Sequence, residues 1–140
     1  LDIVKYLVEQ GANKEAVDNG NSTPLHFAAS NDHLDVVKYL VEQGVNKEAV
    51  NNNNQTPLHI AASNDHLDIV KYLVDQGANM EAVDNDNRTP LHIAVGKGHL
   101  NIAQYLTSQG CWELYETEDL SKYYLYTHKI HQNIWIIEKK

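Results

Sequence analysis

The sequence predicts an all-α fold, a solenoid of helix-turn-helix units with projecting hairpin-like loops, and three observations lead to it. The tetrapeptide Thr-Pro-Leu-His begins at Thr23, Thr56 and Thr89, always 33 residues apart. The segment that begins at Leu1 returns nearly unchanged 33, 66 and 99 residues later. The stretches 17–49 and 50–82 differ at only eight of their 33 positions. This period is typical of stacked units, each too small to bury its apolar face alone.

The first helix of each unit is predicted to begin at the Thr-Pro pair. Threonine is a favoured N-cap residue, and proline is tolerated in the first helical turn. In unit 17–49, Leu25, Ala28 and Ala29 recur at helical spacing, and the two alanines are small enough to let a neighbouring helix approach closely. This helix is expected to end near Ser30-Asn31-Asp32.

The second helix of the same unit is predicted to run from about Leu34 to Gln43. Its wide apolar stripe consists of Val36, Val37, Leu40 and Val41. Gly44 follows as a stop signal. The next residues, up to Gln55, are rich in asparagine and other polar types, which indicates a loop or turn.

The repeat pattern divides the chain into an array, residues 1–110, and a tail, residues 111–140. The array contains a partial unit 1–16 and units 17–49, 50–82 and 83–110. Its last second helix is more polar, as a terminal unit requires, with Thr107 in place of a valine. The tail favours a capping helix that begins near Thr117, but its YYLYT and NIWII segments also have strand character. A different domain and an artefact of sequence assembly remain alternatives, and we expect the chain to be a fragment.

The repeated residues resemble the ankyrin repeat over residues 1–110. The resemblance is carried by Thr-Pro-Leu-His, the Ala-Ala pair after it, the His-Leu-Asp-Val-Val start of the second helix and the Gly-Ala ending. It implies an L-shaped unit, with two antiparallel helices and a β-hairpin-like finger. Asparagine and aspartate stand where the family usually has glycine, at Asn21, Asn54, Asn87, Asp32 and Asp65. Both types tolerate positive φ, so we expect these turns to form.

Composition argues against several classes of partner. The chain has 140 residues, 42% of them hydrophobic and 21% charged, as in a soluble folded protein. Its formal charge of −8, without a basic stripe, argues against nucleic acid and against an anionic membrane surface. Apolar runs fall short of the roughly 20 residues that span a bilayer. With one cysteine, an internal disulfide is impossible, and we expect a cytoplasmic, intracellular location.

The recurring histidines suggest either metal sites or structural pins. Equivalent histidines of neighbouring units should lie one helix-packing distance apart, about 8–10 Å. Zinc holds its nitrogen ligands at about 2.0–2.1 Å, so such histidines cannot share an ion. We therefore predict that each Thr-Pro-Leu-His imidazole bonds to nearby backbone and to the threonine, and we predict no metal, cofactor or catalytic site. The recurring tyrosines are predicted to be partly buried rather than a nucleic-acid stacking ladder; they are Tyr6, Tyr39, Tyr72 and Tyr105.

The positions that differ between copies suggest a recognition surface. Three of the eight differences lie just before Thr-Pro, at Asp18/Asn51, Gly20/Asn53 and Ser22/Gln55. Variation on a constant scaffold is how repeat proteins acquire binding specificity, although drift at exposed sites is the alternative. The predicted partner-binding residues are Asn19, Gly20, Ser22, Ser30, Asn31, Asn52, Asn53, Gln55, Ser63, Asn64, Asn85, Asp86, Arg88 and Lys97.

These predictions favour a monomeric, non-enzymatic module that binds another protein and no nucleic acid, membrane or small-molecule substrate. The first alternative is a structural spacer or scaffold segment. The second is a regulatory repeat region of a larger enzyme or channel.

Overall fold

The computed structural model describes residues 1–110 and the backbone of residues 123–128 and 133–139. Between residues 1 and 110 the regular elements are seven short helices, as the 33-residue pattern predicts. They are α1 (Asp2–Glu9), α2 (Pro24–Ser30), α3 (Leu34–Glu42), α4 (Pro57–Ser63), α5 (Leu67–Asp75), α6 (Pro90–Gly96) and α7 (Leu100–Ser108).

The helices form two rows. The first helices of the units, α2, α4 and α6, pack side by side, and the second helices, α3, α5 and α7, form a parallel row behind them. Each first helix also packs against the second helix of its own unit. The core lies between the rows and repeats with the sequence, so that Leu25, Leu58 and Leu91 are each at most 1% exposed.

The predicted helix signals act as expected. Thr23, Thr56 and Thr89 are N-caps with extended backbone, and proline follows each of them in the first turn. Gly44 has a φ of 82° directly after α3, a left-handed conformation that stops the helix without a side-chain penalty.

The asparagines and aspartates that replace glycine adopt positive φ, which confirms the predicted turns. Asn21, Asn54 and Asn87 have φ values of 61°, 59° and 60°. Asp32 and Asp65 have φ values of 59° and 61° between the two helices of their units. Each is in the left-handed region, which asparagine and aspartate enter at lower cost than other non-glycine residues.

The tail differs from the predicted capping helix. The described residues beyond 110 form two strands, β1 (Tyr123–His128) and β2 (Asn133–Lys139), paired antiparallel. The helical interpretation is wrong for these segments, because aromatic and β-branched residues favour extended backbone over the weak helical period. The backbone of β2 lies against α7. Thr117, where the helix was expected to begin, lies outside the described residues.

Candidate functional site

The histidine of each Thr-Pro-Leu-His completes a capping box at the start of a first helix. His26 Nδ1 accepts a hydrogen bond from the Thr23 backbone N–H at 3.0 Å, and the Thr23 hydroxyl accepts one from the His26 N–H at 3.4 Å. His59 and His92 repeat this arrangement with Thr56 and Thr89. Glutamate or glutamine usually fills this role, so here histidine replaces the customary side chain.

The same imidazoles connect neighbouring units. With Nδ1 as acceptor, the ring proton lies on Nε2, which donates to the Gln55 carbonyl at 2.9 Å from His26. From His59, Nε2 donates to the Arg88 carbonyl at 3.0 Å. Both ring nitrogens of these two buried histidines are therefore occupied by protein groups. This geometry confirms the interpretation of the histidines as structural pins.

The second histidine of a unit points to the preceding unit instead. Nε2 of His66 lies 3.0 Å from the Ser30 carbonyl, and Nε2 of His99 lies 3.1 Å from the Ser63 carbonyl. Asp32 and Asp65 lie 3.6 and 3.8 Å from the respective Nδ1 atoms. Within the described residues, groups of three His, Cys, Asp or Glu side chains that could hold a metal ion are absent.

The loops before each Thr-Pro, residues 17–22, 50–55 and 83–88, are called fingers here. Each finger closes as a tight hairpin through the second of its six residues. In the first finger, Asp18 Oδ1 accepts hydrogen bonds from the Gly20 N–H at 2.9 Å and the Ser22 N–H at 2.8 Å. Asn51 and Asp84 do the same in the other fingers. The predicted hairpin-like loop is confirmed.

The fingers are also bonded to one another. Asn52 donates its backbone N–H to the Gly20 carbonyl at 2.9 Å and its Nδ2 to the Asn19 carbonyl at 3.2 Å. Asn21 Nδ2 donates to the Val50 carbonyl at 3.0 Å. The seam between the second and third fingers repeats all three bonds, through Asn85 and Asn54. The asparagine side chains thus hold the three tips at a fixed separation.

The third finger carries an ion-pair cluster that the other two lack. The Asp84 side chain is 2% exposed and receives the Arg88 guanidinium at 3.0 Å through both Nε and Nη2. Asp86 lies 3.3 Å from the same guanidinium. Burial alone would raise the pKa of Asp84, but the hydrogen bonds from Arg88 and Asp86 outweigh it and lower that pKa. Arg88 is therefore a paired cation.

The ends of the first helices adjoin the fingers in sequence and carry the remaining predicted contacts. Asn31 Nδ2 donates to the Phe27 carbonyl, and Asn64 Nδ2 donates to the Ile60 carbonyl, both at 2.9 Å. Lys97 Nζ donates to Ser63 Oγ at 2.7 Å across a unit boundary. Phe27 is 49% exposed, which gives this surface an apolar side chain that the sequence-based list omitted.

The residues predicted to contact a partner lie at the surface to different degrees. Four of them are half-buried, namely Ser22, Ser30, Gln55 and Ser63. The others are exposed, namely Asn19, Gly20, Asn31, Asn52, Asn53, Asn64, Asn85, Asp86, Arg88 and Lys97. Several are engaged in the finger-to-finger bonds, while Asn53 and Ser30 use only their backbone groups in the hydrogen bonds described above.

The tyrosines stack under lysines of the preceding unit, on the second-helix row. Nζ of Lys5, Lys38 and Lys71 each lies 5.7 Å from the ring centre of the tyrosine 34 residues later. Those rings are half-buried, which confirms the predicted packing, whereas Tyr6 of α1 is 62% exposed. Burial, with Glu42 and Asp75 nearby, raises the pKa values of Tyr72 and Tyr105. The repeating Lys-Tyr pair was the sequence signal for this cation–π series.

Comparison with known families agrees with the architecture. A family model described as "Ankyrin repeats (3 copies)" matches residues 1–51 and again residues 44–115. The chain belongs to the ankyrin-repeat family. Ankyrin repeats are generally protein–protein interaction modules and are typically non-enzymatic. A search of curated proteins gave no match to the chain. Among the residues that the structure describes, the helices are too short to span a membrane.

Proposed function

We propose that this ankyrin array is a non-catalytic module that holds a partner protein on the fingers and on the adjoining ends of the first helices. The observation that carries the proposal is where near-identical units differ. The core positions are nearly constant, whereas the second, fourth and sixth residues of the finger change from copy to copy. A surface that varies on a fixed scaffold supports recognition more than it supports packing.

The geometry of the fingers supports the same function. Their tips are held together by side-chain bonds to backbone carbonyls, so the surface is ordered before a partner arrives. A preordered surface loses less conformational entropy on binding. The side chain of Asn53, at the tip of the second finger, and the exposed ring of Phe27 are both available for contact.

The alternative is a structural spacer, and the same bonds favour it, because a chain of staples between fingers would stiffen a scaffold without any partner. Site-specific crosslinking separates the two functions. A photoreactive side chain at Asn53 should crosslink the protein to a discrete partner in the cells that produce it. The matched control places the same side chain at Asp68, which is exposed on the second-helix row.

Crosslinking that depends on the Asn53 position supports the interaction module. In a second step, residues 50–82 are replaced by a copy of residues 17–49, which keeps the fold but changes the finger. Loss of the crosslinked product would show that the finger sequence matters. Equal yields from the two positions, or an unchanged product after the exchange, would favour the spacer.

A further inference from the structure

Three valines at equivalent positions form an exposed row along the fingers. Val17, Val50 and Val83 begin the three fingers and are 54%, 36% and 40% exposed. Single exposed apolar residues are common, but a contiguous apolar patch is typical of an interaction site. This valine row recurs in every unit, although the neighbouring core positions of the same units are fully buried.

The row has a fixed spacing. The Val50 carbonyl accepts a bond from the Asn21 side chain, and the Val83 carbonyl accepts one from the Asn54 side chain, each at 3.0 Å. Each valine is thus tied to the finger before it. Successive valines are separated by one unit, and units are separated by the packing distance of their helices, about 8–10 Å.

This spacing selects the conformation of a binding segment. A helix rises 1.5 Å per residue, so two residues seven apart lie on one face at a separation of about 10.5 Å. A strand covers about 10 Å in three residues, but residues three apart point to opposite faces. The row therefore fits an amphipathic helix with apolar residues at every seventh position, the helix-in-groove mode of recognition.

The charges beside the row indicate the sign of the partner. A glutamate precedes each valine by two residues, at Glu15, Glu48 and Glu81. Among the cations of the fingers, Arg88 is paired with Asp84 and Asp86. Residues 1–110 contain seven lysines and arginines against fourteen aspartates and glutamates, a net formal charge of −7. A cationic partner is favoured by this field.

We infer that the valine row binds a positively charged amphipathic helix of the partner protein, with apolar residues seven apart and lysine or arginine beside them. This inference rests on the proposed function and names the class of partner. The probe is a synthetic helical peptide with three leucines spaced by seven residues and flanking lysines. Its binding to the intact chain is measured by fluorescence anisotropy.

Two control peptides keep the composition or the spacing constant. In one, the leucines are spaced by five residues, which places them on different faces of the helix. In the other, glutamate replaces every lysine. The first peptide should bind at least roughly tenfold more tightly than either control, and salt should weaken it. Equal binding of the two lysine peptides, or binding of the glutamate peptide, would overturn the inference.

Two variants of the protein localise the contact. Val50→Ser should weaken binding of the first peptide roughly tenfold. Ile3→Ser removes an apolar side chain that is 75% exposed on α1 and should leave binding unchanged. Thermal unfolding of both variants checks that the fold is kept. An equal loss in the two variants would overturn the assignment to the valine row.

The outcome is distinguishable from a failure of the proposed function. If the peptides do not bind but the crosslink at Asn53 forms, the partner is not a cationic helix and the interaction module stands. If the crosslink is also absent, both proposals fail together.

Discussion

His26 and His59 each bond through both ring nitrogens, and this fixes their protonation state. Nδ1 must accept from the threonine N–H, and Nε2 must donate to a carbonyl of the next unit. Burial lowers the pKa of both imidazoles, and the carbonyl bonds offset only part of that lowering. The neutral ring is therefore the form that joins two units.

Replacing His59 by glutamine should destabilise the fold. His59 is fully buried, and glutamine cannot reach both the Thr56 N–H and the Arg88 carbonyl, so a buried polar group loses its partner. We expect a loss of about 1–3 kcal/mol in the free energy of unfolding, measured by urea denaturation. The control is His33→Gln, because His33 is exposed at the start of α3 and makes no side-chain cap bond there. An equal effect of the two substitutions would contradict the pin.

Stability should fall as the pH drops below about 6.5. The unfolded chain, with histidine near its ordinary pKa, takes up protons first, whereas folded His26 and His59 have lowered pKa values. Their contribution is therefore complete above that pH and is lost below it. Asp18 near His26 and Asp84 near His59 oppose the lowering, while Arg88 adds to it at His59.

The urea midpoint measured between about pH 8 and 5.5 checks this dependence, in a range above the usual pKa values of carboxylates. The His59→Gln variant is the control, since it removes one of the two groups and should show a shallower decline. A parallel decline in the variant would assign the pH dependence to other groups.

At the scale of the element, the finger depends on one asparagine for two separate tasks. Asn54 adopts a φ of 59°, and its Nδ2 donates to the Val83 carbonyl. Asn54→Ala loses the bond and also strains the backbone, at about 1–2 kcal/mol for the left-handed conformation. Asn54→Gly loses the bond but relieves the backbone, so its cost should be about 0.5–1.5 kcal/mol.

Comparing the two variants by thermal unfolding separates the tasks. The alanine variant should unfold at the lower temperature, and both should unfold below the parent chain. If the glycine variant is as stable as the parent, the bond between fingers contributes nothing. If the two variants are equal, the positive φ is not a constraint at this position.

The elements themselves were readable from the sequence, but several contacts between them were not. Thr-Pro pairs, alanines at helical spacing and Gly44 locate the helices, because those signals act within a few residues. The bond from Asn52 to Asn19 joins residues 33 apart, and the stack of Lys38 on Tyr72 joins residues 34 apart. Such contacts depend on how units are placed, which local pattern does not encode.

The candidate site was predictable in outline only. Exposure of the finger tips follows from their polarity, but the pairing of Arg88 with Asp84 depends on the hairpin geometry that brings them together. The valine row was missed because a lone valine in a polar loop has no periodic partner nearby. Its only sequence signal is recurrence at 33 residues, which the buried positions share.

At the scale of the whole molecule, stability should vary along the array, because each unit contacts only its neighbours. Leu7 in α1 and Leu73 in α5 occupy the same position of the repeat, yet Leu7 is 49% exposed and Leu73 is fully buried. None of the residues of α1 is buried, whereas Ile69, Val70 and Leu73 of α5 all are. Identical substitutions should therefore have unequal effects.

Leu73→Ala should cost about 2–5 kcal/mol, as buried leucines do, and Leu7→Ala less than about 1 kcal/mol. Hydrogen exchange of the parent chain should show the same gradient, with the lowest amide protection in α1 and the highest in α4 and α5. Equal costs for the two substitutions, together with uniform protection, would mean that the array unfolds as one cooperative block. Unequal costs with graded protection would show that burial by neighbouring units, rather than the repeated sequence of each helix, determines its stability.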